Sequence, residues 1–134
     1  MRYWDISKLR VFVDGVEIED LVKAGYTADR EHTAVETTDE IAGFNVKYAR
    51  PTGTITVKAT CPQLKHLTDI KNRTDEDYYK NGVQIIFQYD GVPKRKITFN
   101  GALITKISHE FAEEAGDVDV EFVAQEYIEE FPEG

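Results

Sequence analysis

"GTITVKATCPQLKHLTDI", residues 53–70, changes its period half-way along. Ile55, Val57 and Ala59 fall on one side of an extended chain, with Thr54, Thr56, Lys58 and Thr60 on the other. That alternation belongs to a half-buried strand. From Leu64 the apolar residues recur every third position, at Leu64, Leu67 and Ile70, which makes a narrow helical stripe. Thr60 and Gln63 have the spacing of a capping box, and Pro62 falls in the first turn, where its missing N–H costs nothing. The stretch therefore predicts a strand running straight into one short helix over about 62–72.

On either side the pattern is almost entirely β. In "LRVFVDGVEIED", Val11 and Val13 share a face, and Asp14-Gly15 is a strong hairpin signal before Val16 and Ile18. The spacing predicts strands over about 8–13 and 16–19. "VQIIFQYDGVPKRKITF" reads as a second hairpin turning at Asp90-Gly91, with Pro93 marking an edge or bulge. Asn100-Gly101 reads as a further turn, after which Leu103, Thr105, Ile107, His109 and Phe111 share one face. "VDVEFVA" sends Val118, Val120, Phe122 and Ala124 inward and Asp117, Asp119 and Glu121 outward. The tail over about 126–134 is acidic and expected to fray.

Residues 26–50 stand apart. They are polar, with Val35, Ile41, Phe44 and Val46 as the apolar exceptions, and read as a long loop or an extended hairpin arm without its own core. The fold class is then mainly β: an antiparallel sandwich or barrel of seven or eight strands, one short helix and a long arm, in a single domain over 1–134.

The 134 residues carry 16 basic and 25 acidic side chains, a net charge of −9, which disfavours a reader of nucleic acid. No apolar run is long enough to span a membrane, and "MRYWDISKLRVFVDG" lacks the apolar core of a signal peptide, so an intracellular product without membrane binding is expected. The single cysteine, Cys61, excludes an intrachain disulfide and reads as a buried structural thiol.

Catalytic signatures are missing. His32, His66 and His109 have no metal-ligand spacing, and Ser7 and Ser108 lack a nucleophile elbow. There is no phosphate-binding or dinucleotide-binding glycine motif. The expectation is a non-enzyme without cofactor or metal. Asp69 and Arg73 are spaced as a helix-surface ion pair. Asp117, Asp119 and Glu121 repel one another along one sheet face. They could meet Lys94, Arg95 and Lys96 of a neighbouring molecule, or line an acidic channel to which nucleic acid does not stick. An acidic protein-binding module of the DNA-mimic kind is the alternative.

The order of elements resembles the tail-tube proteins of long-tailed bacteriophages, related in fold to the type VI secretion needle protein. The resemblance is carried by Asp14-Gly15, Gly53 to Pro62, Leu64 and Leu67, Asp90-Gly91, and Leu103 to Ile107, and spans about residues 8–125. It implies a structural virion protein, assembled in the bacterial cytoplasm, whose six-fold rings stack into a tube that conducts DNA. It implies sheath, tape-measure, baseplate or tail-terminator partners. The arm, with Asp29, Arg30, Glu31, His32, Val35, Ile41 and Phe44, would reach an adjacent subunit. Another tail or baseplate component of the same fold fits the same pattern.

Overall fold

The computed structural model describes residues 6–28, 30–36, 41–48, 50–111 and 113–132; over 30–36 and 41–48, and at position 115, only the backbone is described. A 3-10 turn over Ile6–Lys8 leads into β1 (Leu9–Val13), β2 (Val16–Glu17) and β3 (Leu21–Thr27). The arm follows as β4 (Arg30–Glu36) and β5 (Ile41–Tyr48). Then come β6 (Thr52–Lys58), α1 (Leu64–Lys71), α2 (Glu76–Asn81), β7 (Val83–Tyr89), β8 (Arg95–Phe111), β9 (Ala115–Val123) and β10 (Glu126–Glu130).

All pairings are antiparallel, and β8 organises them. Its first half pairs with β7 on one side and β10 on the other; its second half pairs with β9. Beyond β7 lie β1 and β2, and beyond β9 lie β6 and β3. One bent sheet thus makes both layers of a sandwich. It does not close, since its path ends at β2 on one side and β3 on the other. β9 and β10 keep one register along β8, with Leu103 opposite Val123 and Asn100 opposite Glu126.

The bend sits at Gly101, whose φ is +64°. Asn100-Gly101 is therefore no turn between strands, as the sequence reading had it, but a kink inside one strand of 17 residues. A bulge between Ile104 and Lys106 then shifts the phase again. Ala102 and Ile104 point into the core, while Thr105 and Phe111 are exposed, so the five-residue alternation expected over 103–111 does not form.

Asp14-Gly15 behaves as predicted, both residues having positive φ (51° and 80°), as a type I′ turn requires. Asp90-Gly91 does not. Tyr89 pairs with Arg95, which leaves a five-residue loop over 90–94. A two-residue turn would set Pro93, which has no N–H, into the ladder. Of the acidic tail, Glu126–Glu130 are ordered into β10, because they continue the ladder along β8.

The core joins both layers. Phe99 meets Phe87 and Phe122 edge-to-face at 5.1 Å each, and Tyr26 at 5.6 Å. Such contacts add about 0.5–1.5 kcal/mol each beyond area burial. Leu67 and Ile70 bury the stripe of α1 against this core. Helix α2, not announced by any apolar period, contributes buried Tyr78, whose Oη accepts a hydrogen bond from the Ile104 N–H at 2.9 Å.

The start of α1 is built differently from the expected capping box. Its N-cap is Gln63, with no side-chain cap bond. The Thr60 hydroxyl donates instead to Asp20 at 2.9 Å, and Gln63 Oε1 accepts from the Glu19 N–H at 2.8 Å. Both side chains are spent tying the helix start to the β2–β3 connection. The expected Asp69–Arg73 pair is also absent: Asp69 pairs with Lys65 at 2.9 Å and Arg73 with Asp75 at 2.9 Å.

Candidate assembly surfaces

The arm is a sheet of its own. β4 and β5 pair from Arg30 opposite Tyr48 to Glu36 opposite Ile41, and join neither layer of the main sheet. It springs from the end of β3 and returns at the start of β6, both at the same end of the fold, where Thr27 faces Thr52. Arg30, Glu31, His32, Val35, Ile41 and Phe44 lie on these strands, but their side chains, and Asp29 altogether, are outside the described residues.

The outward row of β9 is present as predicted, and Asp117, Asp119 and Glu121 are exposed. They are not left to repel one another. Asp119 accepts a 2.7 Å hydrogen bond from the Thr56 hydroxyl. Glu121 stands 3.8 Å from Lys106, and Asp117 lies opposite Lys58. Flanking strands thus interleave hydroxyls and ammonium groups with the carboxylates, which lowers their mutual repulsion.

The basic run is split by strand alternation. Arg95 turns towards the interior, where its Nε donates to Glu129 at 2.7 Å and a terminal nitrogen donates to the Tyr26 hydroxyl at 2.6 Å. Burial lifts the Tyr26 phenol above its ordinary value, against the opposing pull of Arg95. Lys94 is exposed before β8, and Lys96 lies between Gln88 and Glu130. The three residues make no single basic patch.

Two features escaped the sequence reading. The first is a cavity of about 420 Å³ between the layers, lined by Leu9, Ala24, Tyr26, Phe87, Tyr89 and Ile97 and by the cations Lys23 and Arg95. Its residues come from the 3-10 turn and four strands, so no local pattern betrays it. The second is a signal that was available. Residues 107–134 hold ten carboxylates and no lysine or arginine, while the rest of the chain, with 16 basic and 15 acidic residues, is nearly neutral.

His66 and His109, the histidines whose side chains are described, stay apart. His66 sets Nε2 3.0 Å from the Val13 carbonyl oxygen, and the His109 ring lies 4.4 Å from that of Phe111. Among the described residues no three His, Cys, Asp or Glu side chains converge as a metal site, and no helix is long and apolar enough to cross a membrane. Cys61 is buried, and burial raises its thiol above the usual range.

Comparison with solved structures places this architecture. A chain of the sheath–tube complex of an extracellular contractile injection system (PVC), in its extended state, matches with a TM-score of 0.67 at 11% identity, over 97% of this chain and 93% of that one. The fold is that of the tail-tube proteins. A chain of the anti-feeding prophage tube-terminating cap shares it with a TM-score of 0.68 at 11% identity, over 98% of this chain and 93% of that one. Hcp1 from Salmonella typhimurium matches with a TM-score of 0.58 at 15% identity, over 92% of this chain and 85% of that one. No protein-family model and no curated protein matches the sequence. At these identities the tail-tube likeness rests on backbone course and not on shared side chains.

Proposed function

We propose that this chain is a structural subunit of the tube of a phage tail or a related contractile injection apparatus, whose copies close into six-fold rings and stack around a lumen that passes DNA. The observation that carries this reading is the tail-tube fold along nearly the whole chain. Two structural features support it. The sheet stays open, so among the described residues the seven of β3 present a backbone edge without a second strand, which a neighbouring subunit can use. The arm forms a sheet separate from the body and is free to lie on an adjacent ring.

In this reading the exposed carboxylates of β9 face the lumen, where they give DNA no counterions to release and hence no reason to bind. Sheath, tape-measure, baseplate and terminator proteins are the partners, the tail is the location, and assembly takes place in the bacterial cytoplasm. Lys94 and Lys96 are contacts for an acidic neighbour, and no catalytic step is required of the chain.

Electron microscopy of the concentrated protein tests the reading. Long tubes support a tube subunit. Single closed rings that do not stack support a terminator, which the likeness to the cap chain also allows. Monodisperse monomers at every concentration and salt would overturn it. Deleting residues 28–44 should abolish tubes; tubes formed equally well without them would remove the arm from the assembly.

A further inference from the structure

We infer that the tip of the β8–β9 hairpin inserts Phe111 into the interlayer cavity of a second copy of this chain. The inference rests on the self-assembly proposed above and specifies one of its contacts.

Phe111 is 89% exposed, the highest value among the large apolar side chains of the described residues. It lies at the end of β8, opposite Ala115, beyond the point where β6 stops pairing with β9 at Lys58. The ring is thus carried on a two-stranded projection past the edge of the body, braced on one side by His109 at 4.4 Å. An aromatic ring held out in this way exposes an area on the order of 150–250 Å² that water solvates poorly. Around it stand Glu110, Glu113 and Glu114, all exposed.

The interlayer cavity has the complementary properties. Its 420 Å³ exceeds what one phenyl ring needs, and aliphatic and aromatic side chains form most of its wall. Lys23 and Arg95 line it, and exposed Lys8 and Lys94 precede two of its wall residues, Leu9 and Arg95, on the chain. In a protein of net charge −9 these cations gather at the end of the fold where β8 begins. Glu110, Glu113 and Glu114 gather where it ends; at its beginning Arg95 is already paired with Glu129 and Lys96 lies opposite Glu130, so the cations that meet the tip are Lys8, Lys23 and Lys94.

The two features cannot meet within one molecule. Arg95 and Ile97, on the cavity wall, stand at the beginning of β8, whereas Phe111 stands at its end. Ile97 and Phe111 are 14 residues apart, roughly 45 Å along the strand. The contact is therefore heterologous, tip of one copy to cavity of the next. Such contacts propagate into rings or filaments instead of closing a dimer. Acidic tip and basic rim also fix the polarity, because tip-to-tip approach is repulsive.

The test uses the full chain with Phe111→p-benzoylphenylalanine, which keeps an aromatic ring at the tip. Irradiation of assembled protein should give intermolecular cross-links to peptides containing residues 21–27 or 85–97. Cross-links confined to other segments, or none in samples where microscopy shows assemblies, would overturn the insertion while leaving the tube reading intact. A wild-type chain that never assembles would overturn both. In parallel, Lys23→Glu should raise the concentration needed for assembly roughly tenfold or more. Adding Glu113→Lys and Glu114→Lys to Lys23→Glu should restore assembly. Circular dichroism of each variant checks that the fold is kept, and a folded charge-swap variant without recovery counts against the contact.

Discussion

Gly82 joins α2 to β7 at a point where two backbones nearly touch, and replacing it by alanine should be among the most damaging single changes in the molecule. Its φ of 67° and ψ of −163° lie in a region that essentially only glycine occupies. Forcing a side chain there costs about 1–3 kcal/mol. A Cβ would also stand 2.5 Å from the Gly101 carbonyl carbon, 2.7 Å from the Ala102 nitrogen and 2.8 Å from the Ala102 oxygen. These are backbone atoms of β8 at its bend, so no rotamer change relieves the overlap. Overpacking of this kind adds about 1–3 kcal/mol. The sum, about 2–6 kcal/mol, is a large part of the roughly 5–15 kcal/mol that holds a domain together.

Gly101→Ala is the matched comparison. It too has positive φ, but the three atoms nearest its Cβ would belong to the Gln125 side chain, the first at 2.7 Å, which can swing away. A loss of about 1–2 kcal/mol is expected there. Urea unfolding followed by far-UV circular dichroism measures both. With a slope on the order of 1–3 kcal/mol per molar urea, Gly82→Ala should lower the midpoint by at least about 0.7 M. Should Gly82→Ala prove no less stable than Gly101→Ala, the close approach of α2's exit to the bend would not be a constraint.

Tyr78→Phe removes the acceptor of the buried Ile104 N–H and should cost about 1–3 kcal/mol, with faster amide exchange at Ile104 as its local signature. Unchanged exchange at that amide would refute the assignment. Arg95→Met leaves Glu129 and the Tyr26 hydroxyl without their cation and should cost about 1–3 kcal/mol, while Arg95→Met with Glu129→Gln should cost less than the two single changes together. Strict additivity in that cycle would show the pair to be uncoupled. Burial raises the acid groups of Tyr26, Cys61 and Tyr78, so the folded state holds their protons more tightly than the unfolded chain. Their contribution is complete below the unfolded-state values, about 8.5 for cysteine and 10 for tyrosine, and is lost as pH rises past them. Thermal midpoints should fall above about pH 9, and iodoacetamide should modify Cys61 more slowly at pH 8 than it modifies a free thiol; stability that rises with pH there would contradict the burial.

The legible parts of the sequence were those where one local rule acts alone. Residues 53–58 alternate because one side of β6 packs on the core and the other meets hydroxyls and charges. Leu67 and Ile70 face inward because α1 has only one apolar stripe to bury. Asp14-Gly15 turns because its backbone needs positive φ twice. Reading failed where a distant partner decided the outcome. Thr60 was free to cap a helix until Asp20, 40 residues away, took its hydroxyl. Asn100-Gly101 has the chemistry of a turn, and the same permissive backbone serves as a kink once β7 and β10 hold both sides of the strand. The acidic tail looked unanchored because its partners, Lys96 to Asn100, are supplied by register and not by composition. Of the assembly surfaces, the outward carboxylates of β9 were legible by period, whereas the cavity exists only once β1, β3, β7 and β8 have come together.

The single strand that serves both layers has a mechanical consequence. Along β8 the ladder hydrogen bonds lie across the strand, so a load applied parallel to it is shared by many bonds at once, and they do not open one after another. From Arg95 to Phe111 the same covalent chain runs from one end of the body to the other, with β9 and β10 laid beside it as one backing strut. A push on the hairpin tip is transmitted to the opposite end through a continuous backbone, without passing through a loop or a sheet-to-sheet packing interface. Because β8 belongs to both layers, a thrust at the tip reaches the two of them through one backbone.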